Sequence, residues 1–277
     1  FSLYGQLQQL SYPFSMINNQ IISSLKKKER LVGHMLRFLG VALFVILFLI
    51  LSIPLLLVEW LIGKFNRHIR DTSSLRIVQW AFRVCLRIAG VHATVYGQEH
   101  IPAEGSALFA MNHRSQFDIL LTYVQMRSPA GFIAKKELEK FPLLNIWMRY
   151  LYCLFLDRSN PKKGVKCISR AIDYMKQGVS ILICPEGKRG RADGMLPFKE
   201  GSFKIALKAN RPVVPVALYN TSAIFEDQFP RMKKTNVIVS FGEPIDPSSL
   251  PKEQQRNLGA MTQDAIQKML DKYKSLM

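Results

Sequence analysis

The stretch Ala107-Leu-Phe-Ala-Met111, followed directly by Asn112 and His113, decides the fold class. A short, uncharged apolar run that ends at polar side chains predicts a buried β-strand with polar groups at its carboxyl end. Three further runs, at residues 131–134, 152–156 and 179–184, end at charged or polar residues in the same way. Strands that are apolar throughout are typical of a parallel sheet covered on both faces.

Longer segments with helical periodicity separate these runs, and the alternation predicts an α/β fold, a mostly parallel sheet flanked by helices. Residues 161–177 predict a helix that Gly178 ends, and residues 251–276 predict a terminal helix. Residues 213–218 and 236–241 predict two more strands. Pro215 predicts an edge or irregular position for the first of them. Because ligands bind at the carboxyl ends of strands in open α/β sheets, the polar residues after each run are candidates for one site.

Residues 38–58 are uncharged and almost wholly apolar, about as long as the ~20 residues that cross a bilayer. Basic residues flank this stretch on both sides, so the positive-inside rule gives no orientation. An insertion that bends near Pro54 and keeps both ends at one anionic surface satisfies both flanks better than a single crossing does.

Residues 74–89 predict a second helix, in which Arg76, Arg83 and Arg87 fall on one face. This pattern is typical of an interfacial helix with its arginines toward headgroups, and packing on the following domain is the alternative. We therefore expect a segment of unknown role at residues 1–35, a two-helix membrane anchor at 36–90 and the α/β domain at 91–277.

The formal net charge is +18, which favours anionic partners but does not choose among nucleic acid, an anionic membrane surface and anionic small molecules. The apolar stretch, and the lack of basic runs interleaved with aromatic residues, favour the membrane over nucleic acid. The four cysteines, Cys85, Cys153, Cys167 and Cys184, lack zinc-site spacing. We expect reduced, buried, structural thiols and no metal site.

His113 and Asp118 are five residues apart, which on one helix would separate them by about 140°. A helix capped by Ser115, with Asp118 in its first turn and His113 in the preceding loop, brings them together. A carboxylate on one ring nitrogen orients the imidazole as a base. No Gly-x-Ser-x-Gly elbow supplies a protein nucleophile, so we expect direct activation of a substrate hydroxyl. The alternative is that the spacing of His113 and Asp118 arose by chance and that Asp118 only caps the helix.

A second group of candidates follows the run at 179–184, in Pro185-Glu-Gly-Lys-Arg189. Cations at three strand ends would face one rim and suit a phosphate monoester; they are Lys135, Arg158, Lys188 and Arg189. Taken singly, each is typical of a solvated surface charge. Neither a Gly-x4-Gly-Lys-Ser/Thr loop nor a Gly-x-Gly-x-x-Gly fingerprint supports ATP hydrolysis or dinucleotide binding.

Four ordered blocks resemble those of the glycerolipid acyltransferase family: Asn112-His-Arg-Ser-Gln-Phe-Asp118, residues 152–158, Pro185-Glu-Gly-Lys-Arg189 and Val213-Val-Pro-Val216. The resemblance covers roughly residues 97–246. It implies transfer of a fatty acyl group from acyl-CoA or acyl carrier protein to the 2-hydroxyl of 1-acylglycerol 3-phosphate (lysophosphatidic acid), a membrane lipid. The product would be phosphatidic acid, formed with no cofactor and no acyl-enzyme.

The resemblance also implies roles for the site residues. His113 is the general base, Asp118 its orienting partner, and Glu186 belongs with them as a catalytic residue. The acceptor-phosphate site comprises Lys135, Arg158, Lys188 and Arg189. Substrate placement falls to Asn112, Gly187 and Pro215, with Pro215 near the acyl donor.

Two positions depart from the family pattern. Lys188 stands where the third block usually has threonine, and Gln116 and Phe117 follow Ser115 where an aromatic residue often comes directly after the serine. The extra cation is compatible with phosphate binding, but it leaves the choice of acceptor open.

Acyl-CoA and acyl carrier protein are cytoplasmic, so the resemblance implies a membrane-associated domain on the cytoplasmic face. Glycerol 3-phosphate or another lysophospholipid is the alternative acceptor. A catalytically inert scaffold that holds anionic lipid is the alternative from a different class. Turnover in a His113→Ala variant separates enzyme from scaffold.

Overall fold

The structure, a computed structural model, describes residues 3–190 and 194–275, with side chains from residue 22 onward. Nine α-helices lie in the described residues: α1 Leu3–Leu51, α2 Ile53–Phe65, α3 Arg67–Ala89, α4 Phe117–Tyr123, α5 Leu144–Tyr150, α6 Pro161–Lys176, α7 Lys204–Ala209, α8 Lys252–Gln255 and α9 Leu258–Lys274. Seven strands complete the domain: β1 Val91–Tyr96, β2 Leu108–Met111, β3 Ala130–Lys135, β4 Leu154–Leu156, β5 Ser180–Ile183, β6 Val213–Tyr219 and β7 Thr235–Phe241.

The strands form one sheet in the order β1-β7-β6-β2-β5-β3-β4. Neighbouring strands are parallel except β6 and β7, which are antiparallel. The predicted α/β fold with a mostly parallel sheet is therefore confirmed. Because β2, β5, β3 and β4 are adjacent and parallel, their carboxyl ends share one edge, and this edge carries the polar residues that follow each strand.

Side chains of the central strands alternate between two hydrophobic cores, as the two-fold repeat of a strand requires. Phe109 and Met111 of β2 face a core that includes residues of α3 and α4, whereas Leu108 and Ala110 face a core that includes residues of α6, α7 and α9. Uniformly apolar runs therefore suit strands that helices cover on both faces.

Of the two positions expected from Pro215, the edge is wrong, because β6 lies inside the sheet, and the irregular one is present. β6 pairs with β2 on one side and β7 on the other. The second pairing is irregular at the proline, because Val216 opposes Phe241 while Val213 opposes Ile245. The two paired positions are three residues apart in β6 and four residues apart in the segment opposite, so the latter contains one extra residue. The bulge accommodates the missing N–H of Pro215, whose carbonyl accepts a 2.8 Å bond from Gly242 N.

The N-terminal helices form a hairpin of three helical segments, where the sequence predicted two. α1 ends at Leu51, α2 begins at Ile53, and Asn66 separates α2 from α3. Ser52 Oγ donates to Leu49 O at this interruption, two residues before Pro54. α3 runs antiparallel to the others, since Trp80 contacts Phe44 and Ser73 Oγ donates to Glu59. Within the described residues, Ile22–Leu51 is the one helix apolar and long enough to cross a membrane.

α3 combines the two arrangements considered for it. Leu75 and Ala89 are fully buried in the core that faces α3, whereas Arg76, Arg83 and Arg87 are exposed. One face therefore packs on the domain, and the arginine face lies outward.

Two other expectations need correction. The single terminal helix is divided into α8 and α9, and its predicted end at residue 276 lies outside the described residues. All four cysteines are free; Cys85 and Cys167 are buried, as expected, but Cys153 and Cys184 are only partly buried.

Candidate active site

His113 and Asp118 are in direct contact at the carboxyl end of β2. The imidazole Nδ1 lies 2.9 Å from Asp118 Oδ2. The aspartate side chain is fully buried, and 19% of the histidine side chain is exposed. With its proton on Nδ1, the imidazole donates to the carboxylate and leaves the lone pair of Nε2 free to accept a proton. The predicted contact is present.

The same carboxylate fixes the backbone of the loop that carries His113. Asp118 Oδ2 accepts hydrogen bonds from Arg114 N and Ser115 N, each at 2.7 Å. Ser115 Oγ accepts from Phe117 N at 3.1 Å, and α4 begins at Phe117. Only half of the predicted capping box is therefore formed, because the serine bonds residue 117 instead of Asp118. The helix begins one residue later than expected.

Glu186 joins the His113 loop to the segment that follows β5. Its Oε1 accepts from His113 N at 2.7 Å, and its Oε2 accepts from Leu196 N at 2.8 Å. The carboxyl is buried. Burial raises the pKa of Glu186, while the N–H groups of Leu196 and His113 act in the opposite direction. Gly190 N also donates to His113 O at 2.8 Å. The turn after β5 therefore makes hydrogen bonds to both the backbone N–H and the backbone carbonyl of His113.

Gly187 occupies a position that favours glycine. Its φ is +76°, in the left-handed region, and a Cβ there would lie 2.8 Å from Lys199 Nζ. Its carbonyl accepts a short hydrogen bond from Arg158 Nη1. Gly187 thus brings the end of β4 and the end of β5 together.

The four predicted phosphate-binding cations lie at the carboxyl ends of three strands, on the sheet edge that also carries His113. Lys135 ends β3 and is exposed, as is Lys188 in the turn after β5. Arg158 is bonded to Gly187 O, and Arg189 Nη1 donates to Glu226 Oε1 at 3.1 Å. The sheet brings these strand ends together, and two of the cations already contact protein groups.

Glu226 contacts two segments of the candidate site, and the sequence analysis did not identify it. Its Oε1 also accepts from Gln116 N at 2.7 Å, so one carboxylate touches both the loop after His113 and Arg189. Its Oε2 is buried and lacks a partner in the described part of the chain. No motif signals this residue, because it lies 37 positions beyond Arg189.

The sequence analysis also missed an ion pair beside Lys135, formed by Lys136 and Asp157. Lys136 Nζ donates to Asp157 Oδ2 at 2.7 Å. The ammonium of Lys136, with the hydroxyl of Ser159, lowers the pKa of Asp157 to about 2. Lys136 rather than Lys135 therefore ties the end of β3 to the residue before Arg158.

Asn112 and Pro215 lie deeper than the strand ends. Asn112 Nδ2 donates to Leu218 O at 2.9 Å, and its Oδ1 accepts from Leu218 N at 2.8 Å. Both polar groups of this buried side chain thus bond the backbone of β6. Pro215 is buried and lies opposite Ala110 of β2.

Known proteins are similar to this chain in sequence and in fold. A family model described as Acyltransferase matches residues 92–219. The chain is 30% identical over 201 residues to a 1-acyl-sn-glycerol-3-phosphate acyltransferase of Borreliella burgdorferi, covering 73% of this chain and 80% of that protein. It is 27% identical over 219 residues to the protein of that name from Saccharomyces cerevisiae, covering 78% and 69% respectively.

A solved structure is similar over nearly its whole length. The 1-acyl-sn-glycerophosphate (LPA) acyltransferase PlsC from Thermotoga maritima superposes with a TM-score of 0.78 at 25% identity, covering 88% of this chain and 98% of that one. Because the sequence likeness spans most of the bacterial relative and the fold likeness spans the solved structure, the chain belongs to the acyltransferase family of the 1-acyl-sn-glycerol-3-phosphate acyltransferases.

Proposed function

We propose that this protein transfers a fatty acyl group from acyl-CoA or acyl carrier protein to the 2-hydroxyl of 1-acylglycerol 3-phosphate, giving phosphatidic acid. The observation that carries this proposal is the contact of His113 Nδ1 with the buried Asp118 carboxylate at 2.9 Å. That contact sits at the sheet edge that also carries the cations following β3, β4 and β5.

In the proposed reaction, His113 Nε2 removes the proton of the acceptor hydroxyl as its oxygen attacks the thioester carbonyl carbon. The negative charge of Asp118 stabilises the imidazolium that forms. When the tetrahedral intermediate collapses, the carbon–sulfur bond breaks, and the thiolate leaves with the proton from the imidazolium. No acyl-enzyme forms, because the acceptor oxygen itself is the nucleophile.

The acceptor phosphate would bind at the cations on this edge. Lys135 and Lys188 are exposed there, and Arg158 and Arg189 offer guanidinium groups that suit two-point contacts with phosphate oxygens. Glu186 would act by positioning His113, and Gly187 by positioning Arg158.

Membrane attachment would come from the hairpin of α1, α2 and α3. Large apolar side chains of α1 and α2 are exposed, among them Leu43, Ile50, Leu57 and Trp60, and an exposed apolar surface of this extent marks a membrane or partner contact. The hairpin would hold the domain at the cytoplasmic face, where the proposed donors are found.

The deciding experiment uses the purified full chain in neutral detergent. Palmitoyl-CoA and palmitoyl acyl carrier protein serve as donors, with 1-acylglycerol 3-phosphate, glycerol 3-phosphate and lysophosphatidylcholine as acceptors. The proposal expects phosphatidic acid as the main product, with no burst of protein acylation. Faster turnover of glycerol 3-phosphate or lysophosphatidylcholine would overturn the acceptor assignment, and a labelled protein intermediate would overturn direct transfer.

A further inference from the structure

A cationic cleft of about 770 Å³ lies between α1 and the segment that leads into β7. Lys26, Arg30 and Arg37 of α1 line one side, and Lys233 and Lys234 line the other. None of these residues belongs to the four acyltransferase blocks. The cleft therefore needs an explanation of its own.

The charges of the cleft are unbalanced. Glu29 is the one carboxylate of the lining, against those five cations. Within the described residues, none of the five forms a salt bridge. A bound anion would relieve the mutual repulsion of these cations and accept charge-assisted hydrogen bonds from them.

Side chains from the two walls meet at Gly90. A Cβ at this glycine would lie 2.7 Å from Lys234 Cγ and 3.5 Å from Arg37 Nε, so both side chains pass close to one backbone position. Lysine and arginine from separate elements thus border the same space. This arrangement suits a compact anion with several acceptor oxygens, such as a phosphate group.

The walls of the cleft are joined by contacts that hold them in place. Met232 N donates to His34 O at 3.0 Å, and the rings of Phe38 and Phe225 stack with centroids 5.6 Å apart. The cleft is therefore already formed in the folded chain. A ligand would bind without the free-energy cost of ordering its walls.

The surroundings of the cleft select the class of anion. Phe229, which follows the lining residue Gln228, is 69% exposed, and α1 itself is apolar and long enough to cross a membrane. A phospholipid presents an anionic phosphate beside apolar chains, and so it matches both surfaces at once. A nucleic acid or an acidic soluble protein would match the cations but leave Phe229 and the apolar surface of α1 without an apolar partner.

The topology places the cleft at the same edge of the sheet as the candidate active site. β7 is antiparallel to β6, so the amino end of β7 lies at the edge where β6, β2 and β5 have their carboxyl ends. Lys233 and Lys234 directly precede β7. The cleft and the candidate active site therefore share one edge of the sheet, at separate strands.

We propose that this cleft binds the headgroup of an anionic membrane phospholipid that is not a reactant. The site goes beyond the proposed acyl transfer, because it uses none of the residues assigned to catalysis or to the acceptor. Its occupant would fix the middle of α1 to the domain at the level of the headgroups.

The test measures lipid binding to the full chain in neutral detergent by native mass spectrometry, with dihexanoyl phosphatidylglycerol and dihexanoyl phosphatidylcholine as probes. One variant combines Arg37→Gln, Lys233→Gln and Lys234→Gln. The matched control combines Lys208→Gln, Lys252→Gln and Lys274→Gln, three exposed lysines of α7, α8 and α9. Acyl transfer measured in the same detergent reports whether each variant is folded, independently of lipid binding.

We expect the unaltered chain to prefer phosphatidylglycerol, the cleft variant to bind it about tenfold or more weakly, and the control variant to bind it as the unaltered chain does. Equal binding by the cleft and control variants would overturn the proposal. Displacement of the lipid by equimolar inorganic phosphate would show a free-anion site instead, and would overturn the lipid assignment.

Should the triple variant fail to fold, Lys233→Gln alone decides. The hydrogen bond that Lys233 makes to Ile224 O comes from its backbone N–H, so the substitution leaves this contact intact. A loss of phosphatidylglycerol binding of about threefold or more is expected, and unchanged binding would contradict the proposal.

Discussion

Arg189 Nη1 lies 3.1 Å from Glu226 Oε1, and the same oxygen accepts a hydrogen bond from Gln116 N at 2.7 Å. One carboxylate therefore links the turn after β5 to the loop after His113. It also offsets the charge of an arginine that the proposed reaction uses to bind phosphate.

Replacing Glu226 by glutamine keeps an oxygen for Gln116 N but removes the negative charge beside Arg189. The freed guanidinium should attract the acceptor phosphate more strongly, so we expect the acceptor KM to fall by up to about fivefold, the range of an exposed ion pair. Steady-state kinetics with varied acceptor measures this. Asp264→Asn, which removes the ion pair with Lys268 on α9, is the control. A rise in KM would show instead that Glu226 orients Arg189 for binding.

Removing the guanidinium of Arg158 should weaken acceptor binding specifically. We expect Arg158→Ala to raise the acceptor KM by about tenfold or more, the cost of losing a charged hydrogen-bond donor, while the donor KM stays the same. Arg170→Ala, an exposed position on α6, controls for the loss of charge. An unchanged acceptor KM would remove Arg158 from the phosphate site.

Glu186→Gln tests whether the backbone of His113 must be held in place. The amide can accept from only one of the two partly buried N–H groups that the carboxylate serves, which leaves the other donor without its protein partner. We expect the variant to lose about 1–3 kcal/mol of stability and to lose turnover as well. Thermal unfolding and kcat are the two measurements.

Glu200→Gln is a close control, because Glu200 also accepts from two backbone N–H groups, those of Gly259 and Ala260 at 2.9 Å each. It should lose stability and keep its kcat. If the two variants lose turnover to the same extent, Glu186 has no special relation to His113.

The Lys136–Asp157 pair predicts a pH window for stability. Lys136, together with Ser159, lowers the pKa of Asp157 from 3.8 to about 2, and Asp157 raises the pKa of Lys136 above 10.5. Asp157 contributes to the free energy of unfolding above pH 3.8, and this contribution is lost as the pH falls toward 2. The contribution of Lys136 is lost as the pH rises past 10.5. The melting temperature of Lys136→Met should therefore lie below that of the unaltered chain between these limits, and the difference should shrink below about pH 4. A difference that is as large at pH 2 as at pH 7 would exclude this origin.

Local patterns sufficed for the central strands and for one long helix. β2 and β5 match their apolar runs because both faces are covered, and α6 ends at Lys176, just before Gly178, as the capping pattern indicates. β1 carries no such signal, since His92, Ala93 and Thr94 are exposed. Its pairing with β7, from Val91 with Thr235 to Tyr96 with Ser240, is set by contacts that are distant in sequence.

The part of the candidate site that depends on local sequence was predictable, and the part that depends on strand neighbours was not. The contact of His113 with Asp118 follows from a spacing of five residues and the start of a helix between them. Glu226 and the inward position of Pro215 depend on which strands are neighbours, and Val213–Tyr219 lies inside the sheet only because β7 returns antiparallel beside it. No local pattern in the sequence shows which strands are neighbours in the sheet.

Asp118→Asn should reduce turnover without abolishing substrate binding. The carboxylate oxygen accepts from His113 Nδ1, Arg114 N and Ser115 N, and an amide cannot supply the negative charge that stabilises the imidazolium. We expect kcat to fall by about 10²- to 10⁴-fold with little change in the acceptor KM. A change in KM alone would make Asp118 a binding residue.

The most direct measurement is the rate of acyl transfer by purified His113→Ala from palmitoyl-CoA to 1-acylglycerol 3-phosphate, beside the unaltered chain. With the base removed, kcat should fall by at least about 10²-fold, while the melting temperature and the binding of the acceptor remain close to those of the unaltered chain. Turnover within a few fold of the unaltered rate would contradict the assignment of His113 as the general base.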